Sequence, residues 1–188
     1  PQGLDVRLFE QDRLSKIWTA HSFDLARAIC KEVWDFDLIH IHEIWHHPHF
    51  AAYRAAKRAG KPYVVTIHGA LEPWCLDYKA FKKRIYTALV QRRVLNEAAA
   101  IHAITQDEVG HIKAFGVHSP IFMIPNGIDP EEFRELPPRE ELERRYPELN
   151  GKKVLLFLGR IHPIKGLDIL IKAFGQIAKD RNDVRLVI

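Results

Sequence analysis

Short apolar runs recur along this chain, separated by stretches with helical periodicity. That alternation restricts the fold to a parallel α/β sheet. Residues 5–9, 37–41, 63–67, 100–104 and 121–124 read as strands. Between them, 21–33 places Phe23, Ala26, Ile29, Cys30 and Val33 on one helical face. Residues 50–59 form an Ala-rich helix, with Pro48 before it and Gly60 after it as start and stop signals. A long helix is expected over 78–99. Thr105-Gln106-Asp107-Glu108 spells a capping box that opens a shorter helix ending near Gly116. The β-α-β-α order predicts helices on both faces of the sheet.

The composition then shifts. Residues 130–150, rich in Glu, Arg and Pro, read as a linker with one short helix, and a new strand begins at Lys153. The expected organisation is a Rossmann-like domain over 1–129, a linker over 130–150, and the first βαβ of a second such domain over 151–188. The chain opens at Pro1 and stops on an apolar run, and so reads as part of a longer protein.

A net charge of +4, from 28 basic and 24 acidic residues, is too small an excess to argue for nucleic acid. It fits a polyanionic small molecule or an anionic membrane surface. Two cysteines, Cys30 and Cys75, make neither a disulfide framework nor a metal-ligand spacing, so a reducing cytosol is expected. No apolar run is long enough to span a bilayer.

Four constellations could carry chemistry. In Gly159-Arg160-Ile161-His162-Pro163-Ile164-Lys165-Gly166 a strand ends in Gly and gives way to an amphipathic run. Backbone N–H groups at such a turn can meet a phosphate. Arg160 suits phosphate as a bidentate fork and Lys165 as a point charge. A solvent-facing basic turn is the plainer alternative. In Thr66-Ile67-His68-Gly69, His68 follows a strand at the edge where open parallel sheets bind ligands, and Gly69 allows close approach. A His satisfied at a strand end is the alternative there.

His42-Glu43-x-x-His46 spells a zinc-hydrolase motif. That mechanism needs both imidazoles on one helical face. Here a strand leads in and Pro48 limits a helix through His46, so strand-end imidazoles facing a cleft are the better account and no metal is expected. The 78–99 helix carries Lys79, Lys82, Lys83, Arg84, Arg92 and Arg93, with Phe81, Ile85, Ala88 and Leu89 at helical spacing. An ordinary core-facing helix with a solvated face is the first reading. A basic surface that docks on anionic lipid is the second.

Taken together these residues resemble a known family. Gly159-Arg160-x-x-Pro163-x-Lys165-Gly166-Leu167-Asp168 is similar to the start of the donor-binding domain of GT4 glycosyltransferases, which are retaining enzymes of GT-B fold. Ile124-Pro125-Asn126-Gly127-Ile128-Asp129 resembles their interdomain connector, and His68-Gly69 their strand-end His-Gly. The resemblance implies transfer of a sugar from a nucleotide-diphosphate sugar to a glycan or lipid-linked acceptor, in polysaccharide or lipopolysaccharide synthesis. It implies that Gly159, Arg160 and Lys165 bind the donor diphosphate and stabilise the leaving nucleotide. It places His68 catalytically in the cleft, with Gly69, Asn126 and Gly127 shaping cleft and connector. It implies no metal cofactor. The charge, the cysteine usage and the second reading of the basic helix point in turn to no nucleic acid partner, a cytoplasmic location and peripheral membrane contact. The family's first Gly-rich loop and the Glu-x7-Glu segment of its second domain are expected to lie outside these 188 residues, so the chain alone is expected to be inactive. A zinc hydrolase on His42, Glu43 and His46, or a non-catalytic nucleotide- or carbohydrate-binding remnant, are the alternatives.

Overall fold

The computed structural model describes residues 3–77 and 80–188, which divide into two compact units, Pro1–Gly127 and Ile128–Ile188. The first unit is built on four parallel strands in chain order: β1 (Ile39–His42), β2 (Tyr63–Thr66), β3 (Ala100–Ala103) and β4 (Ile121–Met123). The register aligns Ile41, Val65, Ile101 and Ile121 in one row, and His42, Thr66, His102 and Phe122 in the next. Successive side chains of a strand point to opposite faces. The first row therefore faces one side of the sheet and the second row the other.

Helix α1 (Phe23–Glu32) is capped by the Ser22 hydroxyl, which accepts from Leu25 N–H. Helix α2 runs His47–Ala59 and ends on Gly60 at φ 63°, a left-handed stop. Three residues more than expected are helical, because Pro48 sits in the first turn, where its missing N–H costs nothing. The single helix expected over 78–99 is segmented. Helices α3 (Pro73–Asp77) and α4 (Ala80–Tyr86) lead into a π-helical turn (Thr87–Gln91) and then α5 (Arg92–Asn96). Tyr78 and Lys79 lie outside the described residues. Helix α6 (Gln106–Ala114) precedes β4.

The core lies on one face of this sheet. Ile41, Tyr63, Val65, Ile101 and Ala103 of the strands pack with Tyr53 and Ala56 of α2, Val94 and Leu95 of α5, and Ile112 of α6. Each fully buried aliphatic here contributes roughly 1.5–3 kcal/mol. The expectation of helices on both faces is therefore corrected for the described residues. The face bearing His40, His42 and Thr66 contributes nothing to the apolar cluster, and both imidazoles are solvent-exposed. The strand expected over 5–9 is likewise absent. Leu4, Val6 and Leu8 are 66%, 73% and 92% exposed, and no strand of the described sheet pairs with them. An alternating pattern makes a strand only where a neighbouring ladder accepts its N–H and C=O groups.

The second unit opens with two short 3-10 turns flanking α7 (Arg139–Arg145). Strand β5 (Lys153–Leu156) then pairs in parallel with β6 (Val184–Val187) across α8 (Leu167–Ile177). Among the described residues no helix is long and apolar enough to cross a membrane.

Candidate functional site

The carboxyl ends of β1 and β2 gather several unusual backbone conformations. Glu43, Trp45 and His68 adopt positive φ (70°, 77° and 53°) although none is Gly, and Gly69 follows at 73°. Such conformations cost on the order of 1–3 kcal/mol each and persist where surrounding bonds over-determine them. The bonds are identifiable. Glu43 N–H donates to Thr66 O at 2.8 Å, tying the end of β1 to β2. The Trp45 indole N–H donates to Ala70 O at 3.1 Å, and Trp45 backbone N–H reaches Gln91 Oε1 at 3.4 Å. One tryptophan thus joins the β1–α2 loop to the His68–Gly69 turn and to the π-helical turn.

The His68–Gly69 turn has a second anchor, which the sequence reading did not assign. Glu108 is buried, and its carboxylate accepts from Gly69 N–H at 2.6 Å and from Ile104 N–H at 2.7 Å. The Thr105 hydroxyl accepts from Glu108 N–H, as one half of a capping box does. The other half is diverted, because the Glu108 carboxylate serves the next strand's turn rather than Thr105. The Thr105-x-x-Glu108 spelling was the available signal. Gly69 suits its φ of 73°, and a Cβ there would lie 3.0 Å from Glu72 Oε1, a contact that the flexible Glu72 side chain can relieve.

The uncovered sheet face carries a polar network. His42 Nδ1 and His68 Nε2 lie 2.9 Å apart with the rings stacked at 22°. Beside them, His40 Nε2 lies 2.7 Å from Thr66 Oγ1, Thr66 Oγ1 lies 3.0 Å from His102 Nδ1, and the other nitrogen of that ring, His102 Nε2, lies 2.8 Å from Ile124 O. The Ile124 carbonyl fixes the direction for neutral rings. His102 Nε2–H must donate to Ile124 O, so His102 Nδ1 accepts from the Thr66 hydroxyl, whose oxygen accepts from His40 Nε2–H. Partial desolvation of the two rings, followed by the neighbouring imidazoles, holds His40 and His42 below the usual histidine pKa. Both are thereby biased to the neutral form.

The zinc-hydrolase spelling does not assemble. His42 belongs to β1 and pairs with His68, whereas His46 caps α2, so they share no helical face. Glu43, His46 and His49 do bring one ligand atom each within 4.8 Å of one another. Yet His46 and His49 form a reciprocal capping box, each ring accepting the other's backbone N–H. Their lone pairs serve the helix end.

In the second unit Gly159, Arg160 and Lys165 are all exposed. Between strand and helix lies a 3-10 turn, Pro163–Lys165, whose start is capped by His162 Nδ1 accepting from Ile164 N–H. Gly166, at φ 62°, ends this turn and opens α8, its carbonyl accepting from Ile169 and Leu170 N–H. Lys165 is therefore one residue from a helix N-terminus, and Arg160 leads into the turn. Asn126 and Gly127 are exposed in the irregular stretch that closes the first unit.

Strained strand ends at the carboxyl edge of one parallel sheet, and a basic strand–turn–helix in a second βαβ unit, define an α/β protein with ligand-binding edges of Rossmann type. The glycosyl transferase 4-like domain family matches residues 2–127, and the glycosyl transferases group 1 family matches 138–188. The chain belongs to the GT4-type glycosyltransferases. It is 28% identical over 171 residues to the D-inositol 3-phosphate glycosyltransferase of Segniliparus rotundus, covering 87% of this chain and 37% of that protein. It is 26% identical over 188 residues to the uncharacterized glycosyltransferase YqgM of Bacillus subtilis, covering 97% and 47%. The chain thus spans about a third to a half of the length of these relatives. Among solved structures, Anabaena HepE in complex with UDP-glucose superposes with a TM-score of 0.71 at 19% identity, covering 96% of this chain and 45% of that one. That likeness is one of fold, the GT-B type.

Proposed function

We propose that the chain is the acceptor-side unit and the opening of the donor-side unit of a retaining glycosyltransferase. The enzyme moves a sugar from a nucleotide-diphosphate sugar to a glycan or lipid-linked acceptor in polysaccharide or lipopolysaccharide synthesis. The observation that carries this is the Gly159–Gly166 turn: two exposed cations, Arg160 and Lys165, at the entrance to α8. Helix N-termini and fixed cations together stabilise the charge that builds on a departing diphosphate. Those side chains supply what a divalent cation supplies elsewhere, so the reading includes no metal cofactor. His68 is assigned to the reacting sugar, with His42 holding its ring. The UDP-glucose bound by HepE supports a uridine-type donor.

Peripheral contact with the cytosolic face of a membrane belongs to the same reading. Phe81, Ile85 and Leu89, expected to pack on the core, are 77%, 48% and 73% exposed. Arg84 is exposed on α4 beside Phe81 and Ile85, and Arg92 and Arg93 are exposed on α5. An apolar stripe beside cations suits an anionic bilayer surface.

Titration of the chain with UDP-glucose tests the donor site. Arg160→Ala and Lys165→Ala are each expected to weaken binding by about tenfold. Affinity unchanged in the double variant would refute the assignment. In the full-length protein, an anomeric configuration carried unchanged from donor to product, read by NMR, is the outcome expected of retention.

A further inference from the structure

We infer that the cavity between the His68–Gly69 turn and α6 is an acceptor subsite for a sugar bearing free hydroxyl or amino groups, and that it disfavours a phosphorylated sugar. This rests on the glycosyltransferase reading and specifies its acceptor. The cavity measures about 460 Å³, within the range of small-molecule sites. It lies at the carboxyl ends of β2 and β3, where parallel sheets bind ligands. Its walls include Glu72, Trp74, Thr105, Asp107, Glu108 and His111.

Each wall has a chemical consequence. Trp74 lines the cavity and is 43% exposed. The C–H face of a pyranose packs on such a ring, with its hydroxyls left at the rim. Glu72 and Asp107 are carboxylates, which accept from hydroxyl and ammonium groups as charge-assisted bonds. Glu108 fixes the floor, because its carboxylate holds both the Gly69 and Ile104 amides. The Thr105 hydroxyl can donate as well as accept.

The charge balance decides the class. Among the described residues that line the cavity none is Lys or Arg, and three are acidic. Phosphate recognition draws on guanidinium or ammonium groups. A phosphorylated sugar here would meet Glu72 and Asp107 with His111 as the one lining side chain able to carry positive charge. The relative from Segniliparus rotundus is named for a phosphorylated inositol. The acidic lining of this cavity points to a different acceptor chemistry.

Three monosaccharides test this on the chain itself: methyl α-glucoside, glucosamine and glucose 6-phosphate, with affinities read by saturation-transfer NMR. Methyl glucoside and glucosamine are expected to bind at least about tenfold more tightly than glucose 6-phosphate. Asp107→Asn, at an exposed position, is expected to narrow that gap by raising glucose 6-phosphate binding. Trp74→Ala is expected to weaken all three by about tenfold. Glucose 6-phosphate binding as tightly as methyl glucoside, or the absence of any saccharide signal sensitive to Trp74→Ala, overturns the proposal. UDP-glucose titrated into the same samples separates the two readings. Donor binding that persists while saccharide discrimination fails sinks the subsite alone. The reverse pattern sinks the donor assignment and leaves a carbohydrate-binding surface.

Discussion

Glu108 holds Gly69 across 39 residues of sequence through a 2.6 Å bond from the Gly69 amide to its buried carboxylate. The same carboxylate takes the Ile104 amide, so one side chain aligns the exits of β2 and β3. The His68 conformation, with φ at 53°, sits directly on this anchor. Removing the anchor frees the turn to relax toward an ordinary backbone geometry.

Glu108→Ala is accordingly expected to lower the stability of the first unit by about 2 kcal/mol, since two partly buried amides lose a charged acceptor. Glu108→Gln keeps one acceptor oxygen and is expected to cost about 1 kcal/mol. Urea unfolding measures both. Amide resonances of Gly69 and Ile104 report whether the change is local. A Glu108→Ala protein as stable as the parent would show that the bond is dispensable.

Acid is expected to loosen the same unit before its carboxylates protonate. Burial, followed by the neighbouring His46, lowers the His49 pKa from 6.5 to about 4. The folded value lies below the unfolded one, so the unfolded chain binds the proton more readily in between. Stability therefore falls as pH drops from about 6.5 to about 4, by up to about 3 kcal/mol for this group. His40 and His42, also lowered, add in the same direction. Urea midpoints at pH 7.5 and pH 5 measure the drop. His49→Gln is expected to flatten it, and an equally steep drop in that variant would assign it elsewhere.

Vesicle sedimentation checks the exposed helix. Binding is expected to anionic phosphatidylglycerol vesicles, to fall with salt, and to be weak on neutral phosphatidylcholine. Phe81→Ser or Leu89→Ser is expected to weaken it by about tenfold each. Equal binding to both vesicle types, or no effect of either substitution, rules out the mixed apolar and basic surface.

The second unit is expected to exchange its amides faster than the first. Helix α8 has no buried residue, and Leu155, Leu156 and Ile169 are 45%, 65% and 70% exposed. Low burial lowers the free energy of local opening. Hydrogen exchange in β5, β6 and α8 as slow as in β2 and β3 would contradict this.

The elements that carry their own stop and start residues were legible in the chain. Pro48, Gly60 and Thr105 act locally, and their helices lie close to where the residues put them. What could not be read depends on distant partners. The 5–9 stretch alternates like a strand, but the described sheet offers it no ladder. His42-Glu43-x-x-His46 is contiguous in sequence yet is divided between β1 and the cap of α2. Glu108 spells a local cap and spends its carboxylate 39 residues away. The stripe Phe81, Ile85 and Leu89 has the period of a core face, and period alone does not say whether a core stands opposite.

The π-helical turn at Thr87–Gln91 lets one helical run face two ways. A single extra residue advances an α-helix by about 100° around its axis. Beyond the turn, Val94 and Leu95 are 2% and 0% exposed, while before it Phe81 and Ile85 meet solvent. Gln91, buried inside the turn, also holds the loop that carries Trp45. A one-residue deletion here would rotate the outer half by about 100° relative to α5 and disturb the Gln91 contact to that loop in a single step. One turn therefore sets both the exposure of Phe81 and Ile85 and the anchor on the Trp45 loop.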